Sequence, residues 1–400
     1  MADTELRTPS GKPRARALGI PFDGQPGPAN AITDVPGVRV GTVTLIEGDG
    51  PLEVGAGPVR TGVTAILPRG QEGVGTPVAA GYHSLNGNGE LTGMHWVAEA
   101  GQFSTPVLLT NTHAVGACHR GAIDWMVTHK PELRSGWLLP VVGETYDGYL
   151  NDIAGSHITP EHAVTAIDSA QDGPIEEGSV GGGTGMNCYA FKGGNGTASR
   201  RVAYGEREYT LGAFVQANFG IRHELTIAGR KVGRELGADN PMETSRAANA
   251  AATPTGTTPP PAGSGSVIVI IATDAPLLPG QCTALARRVP LGLARTGTTG
   301  SHFSGDIFLA FSTANEGALR SAFPAGAPSS DEFDTLRSIP AGRINPFYDA
   351  VVEAVEEAVV NALVANEEMT GRDGHRTPAL PHEELVHTLR DQAVASARTV

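Results

Sequence analysis

The run Ser266-Val-Ile-Val-Ile-Ile-Ala-Thr273 is one of the strongest strand signals in this chain. Val267 to Ile271 are β-branched without interruption, and such side chains favour a pleated, buried backbone. The stretch before it, 248–265, is its opposite. ANAAATPTGTTPPPAGSG holds almost nothing that can be buried and reads as a flexible linker. The chain therefore passes at Gly265-Ser266 from a segment that does not pack to a strand that belongs in a core.

Other segments set the class. Strand patterns cover Val38–Ile46, Val63–Leu67, Pro106–Thr110, Trp137–Val142, Asn187–Phe191, Tyr209–Asn218 and Phe303–Ser312. Helical spacing covers His113–Val127, Pro160–Ala170 after a Thr159 cap, Leu277–Thr296, Pro346–Asn366 and Glu383–Ala397. Strands and helices mix without a regular βαβ repeat, so the expected class is mixed α/β, with layered sheets and helices. With 53 Gly among 400 residues and 18% charged residues, the fold should contain many tight turns and close backbone contacts.

Net charge is −13, which repels phosphate backbones and disfavours nucleic-acid partners. Cys118, Cys188 and Cys282 are far apart, so they read as buried thiols rather than a disulfide framework or zinc site. Residues 1–17 are polar, with Lys12, Arg14 and Arg16, and read as a disordered tail rather than a signal peptide. The longest β-branched run is far below the ~20 residues of a spanning helix. The expectation is a soluble, cytoplasmic protein with no membrane partner.

Several familiar chemistries are missing. There is no GxSxG elbow and no GxxxxGK[ST] phosphate loop. The glycines of Gly178–Gly185 miss GxGxxG spacing and read as a structural turn. His382 and His387 are five apart, on different faces of a helix, so they do not form a zincin pair.

The junction reads either as a loop entering a strand with Ser266 as its first residue or as a self-cleaving bond. A Ser hydroxyl can attack the carbonyl before it, and after an N→O acyl shift water releases the ester. Gly265 removes side-chain bulk and tolerates strained dihedrals. Ser266 would then own a free α-amine of pKa ~7.7–8.0, able to act as general base to its hydroxyl. Ser304 and Asp306, two apart on a strand, share one face and could hold that amine.

These residues and their surroundings closely resemble the DmpA family, the L-aminopeptidase D-amidase/D-esterases and related β-peptidyl aminopeptidases. The resemblance rests on Ser266–Cys282, Arg287–Gly297 and Ser304–Asn315. Upstream it rests on Asn30–Thr42, His83–Met94, Asn111–Gly116, Gly143–Asp152 and Gly178–Asn187. It runs from about Leu18 to Asn366.

The resemblance implies a self-cleaving precursor whose fold is a four-layer αββα sandwich, similar to N-terminal nucleophile hydrolases but topologically distinct. It implies one hydrolase domain over 18–400, cut after Gly265 into an α chain, 1–265, and a β chain, 266–400. Ser266 would be both autoproteolytic residue and nucleophile. Ser304 and Asp306 would tune its amine, and Asn218 would stabilise the oxyanion. Tyr146 would lie in the pocket, Glu144 would grip the substrate's ammonium, and Trp137 would form a pocket wall. Substrates would be short peptides, amides or esters, with no cofactor or metal, and the cleaved heterodimer would assemble as a tetramer. Two rival readings are an ornithine acetyltransferase-like acyl transferase, which would use a Thr nucleophile, and a catalytically silent binding member of the same fold. Gly263-Ser264 is a second Gly-Ser bond; Ser266 is preferred because it directly precedes the strand.

Overall fold

The computed structural model describes residues 4–244, 265–321, 323 and 326–397. The expected linker lies outside the described residues except for Gly265, which already belongs to a strand.

The first half contributes β1 (Arg39–Glu47), β2 (Val59–Leu67), β3 (Val78–Gly87), α1 (Met94–Ala100), β4 (Gln102–Phe103) and β5 (Val107–Asn111). These are followed by α2 (Val115–His129), β6 (Val141–Thr145) and α3 (Pro160–Asp168). A short hairpin, β7 (Asn187–Cys188) and β8 (Phe191–Lys192), precedes the long strands β9 (Gly194–Tyr204) and β10 (Arg207–Asn218). Then come β11 (Gly265–Thr273), α4 (Pro279–Ala286), α5 (Val289–Arg295), β12 (Ser304–Ser312) and α6 (Asn345–Val364). Strands β13 (Met369–Thr370) and β14 (Arg376–Thr377) and helix α7 (His382–Ala397) complete the described elements.

Two sheets face each other. One has strand order β1-β2-β5-β6, the other β4-β3-β12-β11-β10-β9. Helices α2 and α3 cover the outer face of the first, and α4 and α6 that of the second. Alternation along β11 shows why both of its faces are apolar. Val267, Val269 and Ile271 point into the core beneath the helices, and Ile268, Ile270 and Ala272 into the core between the sheets. A third core joins α2 and α3 to the first sheet. Three cores separate four layers, which is the αββα sandwich. A strand covered on both sides needs no polar alternation, and each buried Ile contributes roughly 1.5–3 kcal/mol.

Three expectations are corrected. The helix expected over Leu277–Thr296 is two helices, α4 and α5. The break falls at Arg287-Arg288, just ahead of Pro290, whose ring nitrogen has no hydrogen for the carbonyl of Ala286. The buried strand expected from Trp137 begins only at Val141; Trp137 itself is 81% exposed. Residues 4–17 are packed rather than a loose tail. Arg14 is buried and meets Glu177 at 2.7 Å, Arg16 meets Glu357 at 2.7 Å, and Ala15 N–H donates to Asn361 Oδ1 at 2.9 Å. Two buried carboxylates need positive partners there, and the basic cluster supplies them.

Candidate active site

Ser266 is the second residue of β11 and is 2% exposed. Its register neighbours are Asn218, the last residue of antiparallel β10, and Gly305 on parallel β12. Gly265 is constrained by space. A Cβ there would lie 2.1 Å from the Asn218 carbonyl oxygen and 3.1 Å from Phe219 Cα. Its φ is outside the left-handed region, so close approach, not the strained dihedral expected from sequence, accounts for the glycine.

Tyr146, just beyond β6, points its backbone N–H at Ser266 Oγ, 3.3 Å away. The Tyr146 carbonyl accepts from Asn218 Nδ2 at 2.9 Å, and Asn218 Oδ1 accepts from Asn187 N–H at 2.9 Å. One peptide unit on either side of Tyr146 thus reaches the serine and the Asn218 amide together. The second hydrogen on Asn218 Nδ2 remains to donate. The structure thus brings Tyr146, Asn218 and Ser266 to one place; the Tyr146 backbone amide was not singled out from sequence.

Ser304 and Asp306 approach from the other side. Asp306 is the register partner of Val267, so both face the helical layer, whereas Ser266 shares the inter-sheet face with Ile268. The pair flanks the backbone of Ser266 and suits action on its nitrogen rather than its oxygen. Ser304 Oγ donates to Asp306 Oδ1 in a short hydrogen bond. Asn86 clamps the carboxylate by giving Nδ2 to Oδ2 at 3.2 Å, while its own Oδ1 accepts Asp306 N–H at 2.9 Å. Burial pushes the Asp306 carboxyl above its ordinary range, against the hydrogen bonds from Ser304, Asn86 and Val267. Asn86 was missed as a positioning group. Its only sequence signal was its place inside His83–Met94.

Glu144 lies in β6 and is 3% exposed. It accepts Glu90 N–H at 2.9 Å and a short hydrogen bond from Thr112 Oγ1. Burial pushes its carboxyl up as well. Gly89 brings it close to β12: a Cβ on Gly89 would sit 2.9 Å from Gly305 Cα and 3.2 Å from Glu144 Oε1. A buried carboxylate therefore stands one residue's width from the strand beside Ser266.

Trp137 is the exception among the sequence-selected residues. It lies on the loop before β6, with its ring edge-on to Phe323 at 5.7 Å. No hydrogen bond or ring contact among the described residues joins it to the Ser266 cluster. The three cysteines are free and buried, with Cys118 and Cys282 pushed up to about 12 by burial. Among the described residues, no three His, Cys, Asp or Glu side chains group as metal ligands. None of the described helices is long and apolar enough to cross a membrane.

A buried serine hydroxyl that receives one backbone N–H, beside an asparagine amide at the register position of the neighbouring strand and with a carboxylate nearby, can form an ester with an attacked acyl group and hold the oxyanion that precedes it. Comparison with known proteins leads to the same chemistry. Residues 30–377 match the model of peptidase family S58. The Beta-peptidyl aminopeptidase BapA of Sphingosinicella microcystinivorans is 49% identical over 373 residues, covering 93% of this chain and 91% of that one. The L-aminopeptidase D-Ala-esterase/amidase of Ochrobactrum anthropi, described as a prototype for the serine aminopeptidases and a new variant among the Ntn hydrolase fold, superposes with a TM-score of 0.85. It is 45% identical, over 96% of this chain and 99% of that one. A Burkholderia sp. beta-aminopeptidase gives a TM-score of 0.81 at 45% identity, over 94% and 98% of the two chains. On this evidence the chain belongs to peptidase family S58 and is a serine aminopeptidase of that family.

Proposed function

We propose that the chain cuts itself between Gly265 and Ser266 and then uses Ser266 to release N-terminal amino acyl residues from short peptides, amides and esters. In the first reaction Ser266 Oγ adds to the Gly265 carbonyl. Collapse breaks the C–N bond, leaves a Gly265 ester on Oγ and frees the Ser266 amine. Water then cleaves the ester, giving chains 1–265 and 266–400.

In the second reaction the Ser266 amine takes the hydroxyl proton and Oγ attacks the substrate's first carbonyl. The Asn218 amide donates to the oxyanion, and Glu144 receives the substrate's ammonium. The leaving amine departs protonated, and water hydrolyses the acyl-enzyme. Ser304 and Asp306 orient the Ser266 nitrogen throughout. Each step uses groups of this chain and water.

The observation that carries this reading is the convergence of Tyr146 N–H and Asn218 on Ser266, with Ser304 and Asp306 on the opposite face. The relatives named above are a beta-peptidyl aminopeptidase, a beta-aminopeptidase and an L-aminopeptidase D-Ala-esterase/amidase, which favours L-, D-Ala or β-amino acyl groups here. Assembly of the cleaved heterodimer into a tetramer belongs to the same proposal.

Denaturing mass spectrometry tests it. The purified protein should give two chains, the smaller starting at Ser266. Ser266→Ala should remain one inactive chain of 41.3 kDa. A start at Ser264, or full activity in an uncut chain, would overturn the assignment. Acetyl transfer to glutamate without hydrolysis of an alanine p-nitroanilide would instead support the acyl transferase reading.

A further inference from the structure

The hairpin β7–β8 lies under Asn218 and is built at a cost. Its turn residues, Tyr189 and Ala190, have φ of 52° and 56° although neither is glycine. Such conformations are strained in residues other than glycine and persist only where the surroundings hold them. Here Arg222 binds both turn carbonyls, and the Tyr189 hydroxyl meets Thr296 Oγ1 at 2.7 Å. The hairpin grips the end of β10 at two points. Asn187 N–H donates to Asn218 Oδ1 at 2.9 Å, and Tyr189 N–H to the Phe219 carbonyl at 2.7 Å.

Lys192 closes this hairpin opposite Asn187 and is fully buried. Its Nζ donates to the Met186 carbonyl at 2.6 Å and to the Gly193 carbonyl at 2.9 Å. The Met186 carbonyl and the Asn187 N–H are the two ends of one planar peptide unit. The Met186 carbonyl also accepts Gly193 N–H at 2.9 Å, so Lys192 Nζ is its second donor; the two together fix the direction of the Asn187 N–H, and the lysine polarises it toward Asn218. No carboxylate among the described residues forms an ion pair with Lys192. Asp147, equally buried, is near enough to favour its charge, and Asp147 Oδ2 has no hydrogen-bond partner. Burial pushes Lys192 down to about 7 and Asp147 up to about 7. A methionine would fill the same space without that penalty, so packing alone gives no reason for a lysine.

We propose that Lys192 is a positioning residue for oxyanion stabilisation: it locks the 186–187 peptide plane, and through Asn187 N–H the side-chain amide of Asn218. The inference rests on Asn218 being the oxyanion donor. The test compares Lys192→Met, Asn218→Ala and the double variant as processed enzyme at equal active-site titre. The substrate is an alanine p-nitroanilide, and the transition-state probe is alaninal, whose carbonyl forms a tetrahedral adduct with a serine.

Asn218→Ala should lower kcat by about 10²–10³. Lys192→Met should lower kcat by about 10-fold or more and weaken alaninal by the same factor, with KM within about threefold. In the Asn218→Ala background, Lys192→Met should cost less than about twofold, because the two act in series. An equal loss in both backgrounds, or no loss, overturns the role of Lys192. An Asn218→Ala enzyme with unchanged kcat and alaninal binding overturns the oxyanion reading itself. Should Lys192→Met fail to accumulate folded, Lys192→Gln decides. Its amide NH2 keeps N–H donors, on a shorter arm and without the charge, so it should show a smaller loss that vanishes in the Asn218→Ala background. No loss, or a loss that persists there, refutes the role.

Discussion

Replacing Gly265 by alanine isolates the geometry of self-cleavage from that of turnover. The added Cβ would stand 2.1 Å from the Asn218 carbonyl oxygen, where ordinary contact begins near 3.4 Å, and 3.1 Å from both Asn218 C and Phe219 Cα. All three atoms are backbone in the strand end that also presents the Asn218 amide, so no flexible side chain can yield. Relief requires the start of β11 to move by about 1 Å, and a displacement of that size commonly costs about 10²-fold in rate. That is about 2.7 kcal/mol at ~1.36 kcal/mol per tenfold. Because φ at Gly265 is outside the left-handed region, no conformational penalty adds to the collision. The experiment follows loss of the 41.3 kDa precursor with time by denaturing mass spectrometry. Gly265→Ala should mature about 100-fold more slowly. The fraction that does mature should have wild-type kcat/KM, because residue 265 ends the released α chain. Wild-type maturation kinetics with an unchanged Ser266 terminus would refute the packing argument. Reduced turnover in the matured fraction would show that residue 265 still shapes the site after the cut.

Other consequences follow from the same geometry. Glu144→Gln should raise KM by about 10- to 100-fold with little change in kcat, since a hydrogen bond to a charged partner contributes ~1.5–3 kcal/mol. Burial raises the Glu144 carboxyl, so the acid-side fall of kcat/KM set by the Ser266 amine should carry a further step from a carboxyl above its ordinary range, and that step should be absent in Glu144→Gln. Asn86→Ala should slow turnover by freeing Asp306, leave KM near wild type, and shift the acid-side limb set by deprotonation of the Ser266 amine. Glu357→Gln should destabilise the fold by roughly 3–5 kcal/mol in chemical denaturation, because it breaks the buried pair with Arg200, which keeps only Glu353 at 3.3 Å, and takes the carboxylate from Arg16. Burial alone would raise Glu357, but Arg16 and Arg200 hold it below the usual range. Its stabilisation is therefore present above the unfolded carboxylate pKa and lost as pH falls through the folded value. The same acid-side loss in Glu357→Gln would count against this account.

The sequence made the central strand legible because Val267–Ile271 is apolar on both pleat faces, and the structure covers both. Ser266, Ser304 and Asp306 were singled out by the junction and by strand spacing, and Asn218, Tyr146 and Glu144 by the resemblance; register and short contacts join Ser266 to Asn218 and Tyr146 and Ser304 to Asp306, with Glu144 across Gly89 from Gly305. Strand β9 was not legible. Its sequence, GNGTASRRVAY, reads as loop, yet Asn195, Thr197, Ser199 and Arg200 are buried. Their partners are Thr64, Ala213, Asp34 and Glu357, all distant in sequence. Polar residues satisfied only by such long-range contacts leave no local pattern. The same holds for Arg14 and Arg16, whose carboxylates lie far along the chain, and for Lys192, which reads as an ordinary surface cation. Trp137 shows the converse: the strand pattern placed it in a buried strand and the resemblance implied a pocket wall, whereas the fold leaves it exposed on the loop before β6.

The strand order of the larger sheet bears on what scission does to the molecule. Strands β12 and β11 lie between β3 and β10. After a break before Ser266, the inner two belong to the small fragment and the outer two to the large one. The fragments are interleaved like fingers of two hands, and neither can leave without tearing ladders on both flanks. The nicked enzyme should stay joined under native conditions, and once denatured it must find its other half by diffusion, so recovery after unfolding should depend on protein concentration.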